Sequence, residues 1–289
     1  MLSRAVAYGL DLQFPAQDSA IGDSLMRYGE FARCIADFLI DHAVEETGVL
    51  IDAGANIGSI GLPFAKARPG WQVKAIEAHG GLAHVLTVNA ARNLLSNVFV
   101  VRAAAGGTSG EVDFPNPPLI GEQNYGTLSI ARAGEFPTVR TPMVTLDEIA
   151  PPDTRLVKMD LEGHDPEALR GAPRLLHEIR PVWLIEAAIN HPQATGAVIQ
   201  TMLLAGYSVY WFYAPFVSLE ARRARGEEVG GAESWKPLTL GDANIVALPP
   251  GTPNAWRLPE VKSATDKRPG FTAAYPYLQR YGFQDAAAG

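Results

Sequence analysis

The apolar run Val49-Leu50-Ile51 ends in Asp52 and breaks at once into Ala53-Gly54-Ala55-Asn56-Ile57-Gly58. A second apolar run, Val73-Lys74-Ala75-Ile76, is closed by Glu77. A strand that turns through glycines and is answered about twenty residues later by an acid describes a nucleoside-binding crevice in a parallel α/β sheet. Asp52 and Glu77 would face one ligand, and two carboxylates suit hydroxyls and positive charge.

The flanking pattern extends this beginning. Leu25, Phe31, Ile35, Phe38 and Leu39 recur at mostly helical spacing, which predicts a helix over about 24–44. Asn56 to Lys66 should be the helix facing the ligand, with Pro63 kinking it or delaying its start. Leu82, Val85, Leu86, Asn89 and Ala90 mark a further helix, closed by Asn93 and Ser96-Asn97, before a strand at Val98 to Val101. Glu111-Val112-Asp113-Phe114 alternates like a short edge strand, and about 115–135 reads as a polar, glycine-bearing loop, a lid, a binding loop or a disordered stretch. Leu156 to Asp160 is again a strand ending in an acid, and Asp165-Pro166 opens a helix running through Leu176. Val182 to Glu186, a helix near Thr195 to Ala205, an aromatic strand Tyr207 to Tyr213 and a last strand Ala243 to Ala247 complete the set. Alternating strands and helices imply a parallel sheet covered on both faces. The expected divisions are a helical lead-in over 1–45, a nucleoside-binding domain over 46–250 and a C-terminal extension over 251–289.

Four strands thus end in acids, Asp52, Glu77, Asp160 and Glu186. In an open parallel sheet they converge at the carboxyl ends of the strands. The resulting crevice suits a cationic cofactor or a metal ion and repels a pyrophosphate.

Composition narrows the partners. The 289 residues are 47% hydrophobic, ample for a core, and the formal charge of −7 with scattered Lys and Arg argues against nucleic acid. The one cysteine, Cys34, falls in an apolar helical pattern and reads as a buried thiol rather than a nucleophile. No segment approaches the roughly 20 apolar residues of a membrane span, so a cytoplasmic protein is expected. The stretch 220–228 reads as a solvated loop or helix face. Tyr207, Tyr210, Trp211, Phe212 and Tyr213 read first as strand core and second as an acceptor-binding wall; Tyr275, Tyr277 and Tyr281 suit either a pocket cover or an oligomer contact.

Ile51 to Gly58, Ala75-Ile76-Glu77, Asn89 with Asn93 and Asn97-Val98, Thr145-Leu146-Asp147, Lys158-Met159-Asp160-Leu161-Glu162-Gly163-His164 and Gly171-Ala172 together resemble the FkbM-type methyltransferases. The chain departs from that pattern at Pro63, at Ala78-His79 and beyond Trp211. The resemblance implies a class I methyltransferase (Rossmann-like) fold with a mostly parallel seven-stranded sheet. It also implies S-adenosylmethionine as cofactor and a hydroxyl acceptor, a sugar or polyketide-type small molecule; a homo-oligomer is one assembly that the C-terminal tyrosines would suit.

On that basis Asp52, Gly54, Asn56, Gly58, Glu77, Arg102, Ala103, Asp160 and Glu162 are the expected cofactor residues. Backbone N–H groups at the glycine turn would take the methionine carboxylate, Asn56 would cap the following helix, and Asp52 and Asp160 would face the cationic groups. Glu77 would accept the ribose hydroxyls, and Arg102-Ala103 would lie near the adenine. Glu162 would orient the cofactor or bind the helix start. A base for the hydroxyl proton is wanted, and the sequence offers His164, His191, Glu186 and Glu162; His164 is preferred to His191, with Asp160 beside it in the catalytic set. A divalent metal on Asp160, Glu186 and one histidine is an alternative that is not favoured. Two other classes remain, a nicotinamide-dependent oxidoreductase, which normally needs Gly-x-Gly-x-x-Gly, and a non-catalytic cofactor-binding protein of the same fold.

Overall fold

The computed structural model describes residues 1–187, 190–228, 241–270 and 272–283. In chain order its strands are β1 Leu2–Ala7, β2 Leu10–Pro15, β3 Gly48–Ala53, β4 Trp71–Ile76, β5 Val98–Val101, β6 Ala104–Ala105, β7 Gly110–Pro115, β8 Thr138–Val144, β9 Thr154–Met159, β10 Val182–Glu186, β11 Ser208–Pro215, β12 Gly241–Leu248 and β13 Glu260–Val261. Its helices are α1 Ile21–Tyr28, α2 Arg33–His42, α3 Gly61–Ala67, α4 Gly80–Arg92, α5 Leu146–Ile149, α6 Asp165–Arg170, α7 Pro192–Leu204 and α8 Leu219–Ala224.

Eight strands form one sheet in the order β13-β11-β12-β10-β9-β3-β4-β5. From β5 to β10 every pairing is parallel, while β12 runs antiparallel to both β10 and β11. The central strands read as continuous apolar runs because both faces are covered; β3 is buried along its whole length. Seven strands were expected. The eighth, β13, comes from the segment assigned to a C-terminal extension and pairs with β11 at Val209 and Tyr210. That segment joins the same core through Trp256, Leu258, Tyr275, Tyr277 and Tyr281, each 5% exposed or less. The aromatic strand is core as well. Phe212 is fully buried and stacks on Tyr277, whose hydroxyl donates to Tyr213 O at 2.7 Å.

The lead-in is not wholly helical. Leu10, Leu12 and Phe14 alternate with Asp11 and Gln13 and make β2 the inner strand of a hairpin with β1. The single helix expected over 24–44 is two. Gly29, left-handed at φ 74°, closes α1, and Ala32, also left-handed, opens α2. The Tyr8 hydroxyl, at the hairpin turn, clamps the connection between them, donating to Phe31 O at 2.7 Å and accepting from Phe31 N at 2.6 Å.

Two asparagines, Asn89 of α4 and Asn93 at its C-terminal cap, hold β2 from the other side. Asn89, fully buried, accepts from Gln13 N and donates to Gln13 O and Ile57 O; one helical turn later Asn93 accepts from Asp11 N and donates to Asp11 O. Residues two apart on a strand are about 6.7 Å apart and residues four apart on a helix about 6 Å, so two side-chain amides substitute for a neighbouring strand.

Elsewhere Pro63 does delay α3, falling in its first turn. The helix expected to run from Asp165 through Leu176 stops at Arg170 and resumes as a π turn over Leu175–Ile179. The small sheet β6-β8-β7 includes a strand missed in the sequence. Pro142 masks β8, yet β6 pairs only with Met143 and Val144, so at Pro142 the strand has one neighbour and no donor is lost.

Candidate functional site

A cavity of about 340 Å³ opens at the carboxyl ends of β3, β4, β9 and β10. The glycine turn is its floor. Gly54 is left-handed at φ 76°, and a Cβ there would lie 1.9 Å from Asp160 O, so only glycine lets the turn pass β9. Gly58, at φ 89°, is packed under Leu62 and Leu86 and does not reach the cavity.

The expectation that this turn offers free N–H groups to an anion is not met. Gly54 N and Ala55 N both donate to Ile76 O, Asn56 N to Glu77 Oε2, Ile57 N to Asn56 Oδ1 and Gly58 N to Ala55 O. Asn56 therefore serves the turn itself and does not cap α3, which begins at Gly61 without a side-chain cap. The anion-compatible group nearby is the Ser59 hydroxyl, 4% exposed, lining the cavity and bonded to no described residue.

Glu77 is 8% exposed and lines the cavity, with its oxygens accepting from Asn56 N at 2.8 Å and His79 N at 2.7 Å. Burial pushes its pKa up to about 7 against the lowering effect of those two N–H groups. Each oxygen keeps a lone-pair direction for a further donor. Ala103 also lines this end. Arg102 does not; its guanidinium lies over Gly80 at the start of α4.

Asp52 is displaced from its expected role. It is 1% exposed, lies beneath the cavity wall and faces Lys158 Nζ at 3.4 Å. Lys158 Nζ also donates to Gly54 O at 3.0 Å and sits 3.5 Å from Asp160 Oδ2. Burial opposes its charge, but Asp52 and Asp160 outweigh burial and hold its pKa above the ordinary value. The lysine was quoted in the sequence motif and given no role there.

At the opposite end stand Asp160, Glu162, His164 and Glu186. One carboxylate oxygen from each of Asp160, Glu162 and Glu186 lies within 4.8 Å of the others. Burial raises Glu162 to about 8, with Asp160 and Asp242 adding repulsion, and raises Glu186 well above the ordinary carboxylate value. His164 is half-buried, and burial lowers its pKa. His191 does not line this cavity; its ring covers Gly163, where a Cβ would come within 2.8 Å of the imidazole.

Two parts of the wall were not assigned from the sequence, and a third was read there only as a polar loop without a stated place. Ile21, Phe31 and Ala32 come from α1, its connection and the start of α2. Tyr125, Leu128 and Ser129, each 9% exposed or less, come from the 115–135 loop, which is thereby anchored as a cavity wall. Asp242 and Asn244 come from β12; their only sequence signal was a polar pair at the start of an apolar strand. Cys34 is buried and its pKa is raised by that burial, as a structural thiol's should be. Among the described residues no helix is long and apolar enough to cross a membrane.

Residues 52–209 match the family model of the methyltransferase FkbM domain. None of the curated proteins compared with the chain matches it. Among solved structures, a methyltransferase FkbM from Methylobacillus flagellatus is 18% identical over 70% of this chain and 44% of its own, with TM-score 0.47. This chain thus spans less than half the length of that relative. A precorrin-6y C5,15-methyltransferase from Geobacter metallireducens is 14% identical over 75% of this chain and 87% of its own, with TM-score 0.45. An Aeropyrum pernix fibrillarin with bound S-adenosyl-L-methionine is 10% identical over 86% of this chain and 82% of its own, with TM-score 0.41.

Proposed function

The chain belongs to the FkbM methyltransferase family, a group dependent on S-adenosylmethionine, and from that premise we propose that it transfers the methyl group to a hydroxyl of a small molecule, a sugar or polyketide-type compound. The nicotinamide alternative falls with the family assignment. The observation that carries the reading is one continuous cavity lined by Glu77 and Ala103 at one end and by Asp160 and His164 at the other.

The donor set fits the cofactor. Glu77 accepts the ribose hydroxyls, Ala103 leaves room for the adenine, and the Ser59 hydroxyl takes the methionine carboxylate. Asp160 would face the cationic methionine end. The cofactor supplies a sulfonium-bound methyl that is already electrophilic, so the residues have to align the acceptor and remove its proton. Burial lowers the His164 pKa and so favours the uncharged imidazole, the form a base needs. His164 would take the proton of the acceptor hydroxyl, whose oxygen would then be free to accept the methyl group.

Incubation of small-molecule extracts with isotope-labelled S-adenosylmethionine, followed by mass analysis of the product, tests the acceptor class. Label on a hydroxyl oxygen is expected, and label on nitrogen or carbon overturns the assignment. His164→Ala should bind S-adenosylhomocysteine as the parent does while kcat falls about 10²- to 10⁴-fold. Unchanged turnover removes His164 as the base.

A further inference from the structure

Sheet register alone delivers oxygen donors to one side of the cavity. Met159 pairs with Ile185 in the parallel β9–β10 ladder, which sets Asp160 beside Glu186. In the antiparallel β10–β12 ladder Glu186 lies directly opposite Asn244, and Asp242, two residues earlier, shares its face. Glu162 returns through a left-handed turn, φ 52°, to bring its carboxylate to the same place.

Two of these groups are incomplete. Glu186 Oε2 is fully enclosed and meets no donor among the described residues. Asn244 is 3% exposed and lines the cavity. Its Nδ2 makes one long 3.4 Å contact to Asp242 O, and its Oδ1 accepts nothing from the described residues. Such groups ordinarily find partners, and an enclosed acceptor without one marks the place of a missing donor or ion.

The charge balance separates those two choices. Lys158 reaches only Asp160 of this set, at 3.5 Å, and is shared with Asp52 and Gly54 O. Glu162, Glu186 and Asp242 form no ion pair among the described residues; the cations whose charge acts on them are Arg132 on Glu162 and Lys158 with Arg268 on Asp242. One ammonium would compensate only one of these acids in its ionised form. A divalent ion offsets twice as much and draws several carboxylate oxygens at once. The donors are all oxygen, from carboxylates and an amide, the set favoured by hard cations.

We propose that Asp160, Glu162, Glu186 and the Oδ1 of Asn244, with Asp242 beside them, form a site for a hard divalent cation of the magnesium, manganese or calcium type. The ion turns an end of the cavity that repels an acceptor oxyanion into one that attracts it.

Titration of the chelator-treated full chain with Mn²⁺, read by the electron paramagnetic resonance of the free ion, tests this without cofactor or acceptor. One saturable Mn²⁺ per chain is expected, displaced by excess Mg²⁺ or Ca²⁺. Glu186→Gln and Asn244→Leu should each weaken it at least about 10-fold, whereas Glu111→Gln, on an exposed strand, should not. Glu186→Gln removes a repelling charge, so its melting temperature in chelator should equal or exceed the parent's, which excludes unfolding as the cause. Calorimetric binding of S-adenosylhomocysteine is measured on the same samples. Absent or unsaturable Mn²⁺ binding, or parental Mn²⁺ affinity in Glu186→Gln, overturns the cation site, and retained S-adenosylhomocysteine binding then leaves the methyltransferase reading standing.

Discussion

Glu77 carries a charge that its surroundings resist. Its folded pKa of about 7 lies above the ordinary 4.5, so the native state holds the proton more tightly than the unfolded chain does. The stability this contributes is complete below about pH 4.5 and lost as pH rises through about 7, on the order of 3 kcal/mol over the window. Ribose hydroxyls donate best to the ionised form, so donor affinity should climb across the same range. The expected outcome for Glu77→Gln is a flattening of both trends, seen as the difference from parent in urea-unfolding free energy and in S-adenosylhomocysteine affinity at pH 5, 6, 7 and 8. An undiminished pH dependence in the variant would remove Glu77 from the account. The sequence made this acid legible because it follows an apolar run at the right distance from the glycine turn. It could not reveal that Asp52, in an equally suggestive position, is buried against Lys158, since that depends on which way a strand's side chains face.

The elements nearest the cavity were the most legible, because apolar runs and capping residues are local signals. β3, β4, β5, β9 and β10 fall where the pattern put them, and so does α4. β8 was hidden by Pro142, and β13 is two residues long, too short to show a period. The pairing of α4 with β2 is a further case, since an asparagine on a helix gives no hint that it serves a strand. Asn89→Ala would leave Gln13 N, Gln13 O and Ile57 O without partners, and a loss of about 2 to 4 kcal/mol in urea unfolding is expected. Asn89→Asp should be worse, because it keeps the acceptor, loses both donors and buries a charge. A variant as stable as the parent would mean that water replaces the amide without cost.

Across the whole molecule, the cavity is closed by segments that lie far apart in the chain. Phe31 and Ala32 line it, the Tyr8 hydroxyl clamps them, Ala32 N donates to Phe216 O, and buried Glu30 accepts from Ser218 N. Tyr8→Phe removes both bonds to Phe31 and should cost about 1 to 3 kcal/mol. Amide hydrogen exchange should rise at residues 29–32 first, with S-adenosylhomocysteine affinity falling alongside; protection unchanged there would show that packing alone holds the connection. None of this was readable from periodicity, because the partners are far apart in sequence and each is a single residue. The same wiring has a consequence for the order in which the molecule is built. The first thirty residues leave the ribosome long before Asn89 and Asn93, which receive the hairpin, and longer still before Phe216 and Ser218, which receive the turn beyond it. That hairpin must wait, paired only with itself, while the sheet assembles, and two-stranded ribbons are at best marginal in water. Affinity for the methyl donor should therefore be acquired only once Phe216 and Ser218 have been made, and stalled chains ending before about residue 210 should carry the nucleoside-facing strands yet lack a closed chamber.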